Sequence, residues 1–180
     1  MSYVDCTPEE LPEYEANECY FPKGGISKIA VLKTGHGITD FSNSTQVQAA
    51  IDAGNFVITG GLKAELPEPA VVEGENPVAC GTETITDGYD YTVETSDFNV
   101  NEANDAFYAA LNKSSFAGIV LYLCEQDKVR VVEQKISFNA RLMIPLSNKE
   151  KQKYMITAKW YQDVTDPLPV LYDAPEGIFA

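Results

Sequence analysis

Between Ala64 and Asn112 the chain has no lysine and no arginine, while eleven aspartates and glutamates stand there. The whole chain has 180 residues and a formal net charge of −14. So few bases disfavour a surface that reads nucleic acid by gripping phosphates, which needs clustered Lys and Arg. They equally disfavour adhesion to an anionic membrane. Simple solubility is the plainer use of such charge. Histidine is almost missing: His36 stands alone, in Gly35-His36-Gly37. A Ser-His-Asp or Cys-His arrangement would have to run through it, and its glycine neighbours suit a flexible turn better than a held general base. The four cysteines, Cys6, Cys19, Cys80 and Cys124, form no C-x2-C pair. A zinc centre, which wants about four converging ligands in close pairs, is not indicated. With no sign of export the thiols read as reduced, and a Cys6–Cys19 bridge is geometrically open. Long apolar runs are also lacking. The longest, Phe116 to Cys124, is interrupted by Gly118 and is too short to span a bilayer. The opening MSYVDCTPEELPEYEANECY holds six acids and no base, unlike a secretory leader. A soluble, unexported chain without a membrane partner is predicted.

Motifs that carry chemistry are equally missing. No phosphate-binding loop, nucleophile elbow, zinc-protease helix or EF-hand loop is present. The pairs Gly24-Gly25 and Gly60-Gly61 lack the strand–loop–helix setting and the lysine of a phosphate cradle. Paired carboxylates discriminate nothing, because with 27 acids some pair meets by chance. No catalytic, cofactor-binding or metal-ligating residue and no cofactor is assigned, and the reading is non-enzymatic.

What is present is β-structure. A hydrophobic content of 44%, with 11% aromatics, argues for one buried core. Ile26 to Gly35 reads as a strand between glycine turns, and Val47, Ala50 and Ile51 sit at helical spacing before Gly54. NFVITGGLKAEL follows as a strand with a glycine interruption. Residues 66–88 carry Pro67, Pro69 and Pro77 with three glycines, so they cannot form a central strand throughout; a long loop or extended arm is expected. Its alternative is a solvated surface excursion. Tyr89, Tyr91, Val93 and Thr95 alternate with polar residues as on a half-buried strand. Asn99 with Glu102 is similar to a capping box, and Ala103, Ala106, Phe107, Ala110 and Leu111 form an apolar stripe on a helix near 101–112. A hairpin around EQDK and two further strands, KISFNARLMIP and KYMITAKWYQDV, complete a meander in which Trp160 plugs the core. The tail, 166–180, is expected to dock on a neighbour or stay loose. The predicted fold is therefore mainly β (α+β): two packed antiparallel sheets, one flanking helix and a long arm or loop. Its parts are an acidic extension over 1–22, one β-rich domain over 23–165 with the arm at 66–88, and the tail.

This order of elements over most of residues 20–165 resembles the tube-forming virion proteins of tailed bacteriophages. The ends CYFPKGGISKIAVLKTG and KWYQDVTDPLPVLYDAPEGIF are similar to virion proteins of phages infecting gut Bacteroidales. The resemblance implies a structural protein of the virion, assembled in the host cytoplasm, whose copies join edge to edge in a ring, hexameric in the family. Rings would stack into a tube through an arm, here 66–88, alongside other virion proteins. The acidic strand and helix would then line a passage through which DNA slides without sticking. Lys128, Arg130, Lys135 and Arg141 would face acids on the next subunit. Segment 1–22 departs from the family pattern; it could be a clamp, or mark a capsid decoration protein or portal-proximal ring. The reading from another class is a monomeric β-sandwich module binding carbohydrate or protein through Tyr89, Tyr91, Trp160 and Tyr161.

Overall fold

A computed structural model describes residues 25–78, 81–123 and 126–179. The expectations for 1–22, and for all four cysteines, lie outside the described residues. Within them the fold is the expected one, two packed antiparallel sheets, with two helices in place of a single flanking one.

The first sheet joins β1 (Lys28–Leu32), β2 (Phe56–Ile58), β7 (Gly118–Leu123), β8 (Lys128–Val132) and β11 (Val170–Asp173) in the order β11-β8-β7-β1-β2. Its central strands are apolar without alternation because both faces are covered. Ile29, Val31, Ile119 and Leu121 face the second sheet, whereas Ala30, Leu32, Val120 and Val129 face helix α1 (Ser44–Asp52). The second sheet, in the order β3-β5-β10-β9-β6, joins β3 (Lys63–Glu65), β5 (Gly81–Asp97), β10 (Lys153–Asp163), β9 (Ile136–Met143) and β6 (Ser115–Phe116), with β4 (Ala70–Val78) also on β5. Only one of its faces is covered, so its strands do alternate: Tyr154, Ile156, Ala158 and Trp160 point inward, while Met155, Lys159 and Tyr161 face solvent. Trp160 is 3% exposed and stacks on Tyr91, with ring centroids 5.2 Å apart. It is a core residue, as expected.

Several local expectations are corrected. Helix α2 (Glu102–Leu111) is capped by Asn101, whose side chain accepts from the Asn104 amide at 2.9 Å. Asn99, the expected cap, instead donates its amide and side-chain nitrogen to Asp97. The helix buries Tyr108 and Leu111, and leaves Ala103, Ala106 and Ala110 exposed. The cause is Tyr108: its hydroxyl reaches the buried Asp97 carboxylate at 2.6 Å and turns the helix toward it. The expected strand across Gly60-Gly61 is two strands in different sheets, since β2 pairs with β1 and β3 pairs with β5. The glycine pair is the corner between them.

The tail does not stay loose. β11 pairs with β8, the tail reaches Lys28 where Phe179 O accepts from its Nζ at 2.7 Å, and Phe179 is buried against Phe56 and Tyr122. Phe179, with the half-buried Tyr172, Ala174 and Ile178, fills a socket beside α1 in the second core on the far face of the first sheet, while Leu168, Val170 and Leu171 stay exposed. His36 is likewise held and not free in a turn: Nδ1 accepts from the Ile38 amide at 3.1 Å, and Nε2 lies 3.5 Å from the Glu133 carboxylate.

Candidate functional site

Of the long loop or extended arm expected over 66–88, the structure has the arm, built as regular structure. β4 and the first half of β5 form a two-stranded antiparallel hairpin, Ala70 opposite Asp90 and Val78 opposite Gly81. Thr82, Thr84, Ile85 and Thr86, with Val71 and Val72, supply the β-branched side chains that favour an extended backbone without demanding a core. Pro77 is tolerated because β4 is an edge strand, and Pro67 and Pro69 fall in the joint between β3 and β4, which pair with the same side of β5. The ladder between β5 and β10 stops at the pair Gly88 and Asp163. Beyond it, among the described residues, β5 has only β4 beside it, and residues 81–87 are all exposed. At about 3.3 Å per residue this part of β5 projects on the order of 25 Å from the body.

The base of the hairpin is fixed. Between Val72 and Glu73 the register shifts, leaving Asp87 as a bulge. The Tyr161 hydroxyl donates toward Asp87 at its carbonyl and its carboxylate, each at 3.1 Å. The Tyr161 ring lies over Gly88, where a Cβ would come within 2.5 Å of the tyrosine oxygen and 2.6 Å of the Gln162 carbonyl. Only glycine lets the ring close over the strand there. Partial desolvation, and then the bond to Asp87, hold the Tyr161 pKa above its ordinary value.

Eight of the eleven acids of 64–112 fall into three groups. Glu73, Glu75, Glu83 and Asp87 stand exposed on the hairpin, which carries no base between Ala70 and Asp90. Asp97 and Asp105 anchor α2, accepting from the hydroxyls of Tyr108 and Tyr154, each at 2.6 Å. Burial, and then the bond to Asp97, push the Tyr108 pKa well above its ordinary value. Tyr154 shifts the same way, from desolvation first and its bond to Asp105 second. The third group, Asp90 and Glu94, lies on the open face of the second sheet. There Tyr161 is opposite Asp90, Thr157 is opposite Glu94, and Lys159 and Arg141 occupy the neighbouring strands. Shallow hollows on this face are lined by acids and bases together: Asp90 with Lys135 and Lys159, Glu94 with Arg141 and Lys159. The body half of β5 therefore does not present the all-acid wall expected of it.

The expected basic partners also separate. Lys128 bonds Asp173, and Arg130 donates to the Pro169 carbonyl at 2.8 Å, so both are engaged by the chain's own tail. Lys135 and Arg141 are exposed. The aromatic surface imagined for a binding module does not form: Tyr91 and Trp160 are buried, Tyr89 is half-buried, and only Tyr161 is exposed. Sequence reasoning missed a further surface at the turn between β9 and β10, where Leu142, Met143, Ile144 and Leu146 are exposed beside Lys149 and Lys151. The run Leu-Met-Ile-Pro-Leu, apolar yet placed at a strand end before a lysine-rich turn, was the signal that could have found it.

Among the described residues no group of three or more His, Cys, Asp or Glu is arranged to hold a metal ion, and no helix is long and apolar enough to cross a membrane. The fold defines a two-sheet α+β sandwich with a projecting acidic hairpin. No family model matches the chain, and no curated protein or solved structure shows significant similarity to it.

Proposed function

We propose that this chain is a non-enzymatic structural subunit that assembles with copies of itself, in the manner of a tail-tube or ring protein of a phage virion. The observation that supports it is the hairpin: a ribbon of regular structure, fixed at its base by Tyr161 and Gly88, and without a partner beyond it among the described residues. An isolated two-stranded ribbon is marginal in water, so a long one held ready in a free subunit suits a place in an assembly. In a ring, the exposed acids of α2, Glu102 and Asp105, would repel phosphate and keep a DNA passage from sticking.

The test is the mass of the purified full chain by light scattering, followed by negative-stain microscopy. Rings or tubes are expected. Replacing residues 73–86 with a tight turn is expected to abolish the higher assemblies and leave the circular-dichroism spectrum of the body intact. A monodisperse monomer at high concentration would sink the proposal.

A further inference from the structure

We propose that the hairpin of one copy docks on the β9–β10 turn of the next copy, joining the chains head to tail along the strand direction of the second sheet. This rests on the self-assembly reading above and names the acceptor for the arm. The acceptor is the segment between Met143 and Lys153. Ile144 is exposed there, as are Leu142 and Met143 at the end of β9, and Leu146 is 106% exposed, so none of the described residues covers it. Lys149 and Lys151 stand on the same turn and Arg141 just before it, against a single acid, Glu150. The hairpin offers the complement: Glu73, Glu75 and Glu83 with no base, and Val71 and Ile85 exposed among them. Apolar burial would supply adhesion, and opposite charge would set orientation and the rate of encounter.

One molecule cannot join its own two surfaces. β10 runs from Lys153, at the turn, to Asp163, where the hairpin leaves the sheet. Ten strand steps place the two surfaces about 30 Å apart, at opposite ends of the sheet. Complementary patches at opposite ends make a heterologous contact, which propagates from copy to copy instead of closing as a pair.

The experiment uses two charge-reversed full-length variants, Glu73→Lys with Glu75→Lys on the hairpin and Lys149→Glu with Lys151→Glu on the turn. All four positions are exposed, and circular dichroism checks that each variant folds. In sedimentation velocity at low salt, each variant alone is expected to associate about tenfold more weakly than the native chain. An equimolar mixture is expected to recover near-native association, because reversed hairpins then meet reversed turns and native hairpins meet native turns. Unchanged association in the turn variant, or a mixture no better than its components, would overturn the pairing while leaving self-assembly standing. A native chain that stays monomeric would instead remove the self-assembly reading, and the pairing with it.

Discussion

β5 is one strand with two lives. Its inner half places Tyr91, Val93, Thr95 and Asp97 in the core, and its outer half, Gly81–Asp87, buries nothing. Both halves pair antiparallel with their neighbours, the register with β4 shifting once, at Asp87. The difference is what stands across from them: β1 and β7 of the first sheet lie over one half and solvent surrounds the other. Backbone pairing thus sets where the strand runs, and side-chain burial sets which half carries stability.

The largest effect expected of that division comes from Trp160. Trp160→Ala removes the ring that covers Tyr91 and should cost about 3–5 kcal/mol in urea unfolding. Next is Tyr108→Phe, which takes a donor from the buried Asp97 carboxylate and should cost about 1–3 kcal/mol. At the boundary between the halves, Gly88→Ala drives a methyl into Tyr161 and the Gln162 carbonyl. A loss of about 1–3 kcal/mol is expected, together with a lower m-value if the hairpin splays. Thr84→Ala, on the outer half, should move the same midpoint by less than about 0.5 kcal/mol. A loss at Thr84 as large as that at Trp160 would erase the distinction between the halves. The buried tyrosines sharpen it by pH. Their folded pKa values are raised, so the unfolded chain releases protons first. Stability is therefore whole below pH ~10, the unfolded tyrosine value, and falls as pH rises beyond it. Absorbance titration should show Tyr108 and Tyr154 ionising only together with loss of the fold.

Much of this frame was legible in the residues. The alternation from Tyr154 to Gln162 fixed β10 and its buried face, because a strand covered on one side must alternate. The apolar run from Gly118 to Leu123 was equally readable as a strand covered on both sides. The outer half of β5 was harder. Thr82, Thr84 and Thr86 alternate on a ribbon with no buried face, so no hydrophobic period marks it, and the nearby prolines spoke for a loop. The tail was misjudged because its socket beside α1 is built by residues far away in sequence, Phe56, Tyr122 and Lys28. The face of α2 turned on one tertiary bond, Tyr108 to Asp97, which helical spacing alone does not weigh. Of the candidate site, the position of the arm was readable from its charge and prolines. The exposed turn between β9 and β10 was not, because exposure at a strand end leaves no periodic trace.

The chain has one tryptophan, and it rests on Tyr91, three residues along β5 from the glycine where the hairpin leaves the sheet. The emission of that indole therefore reports the packing of the sheet just inside the hairpin's base, readable without attaching a dye.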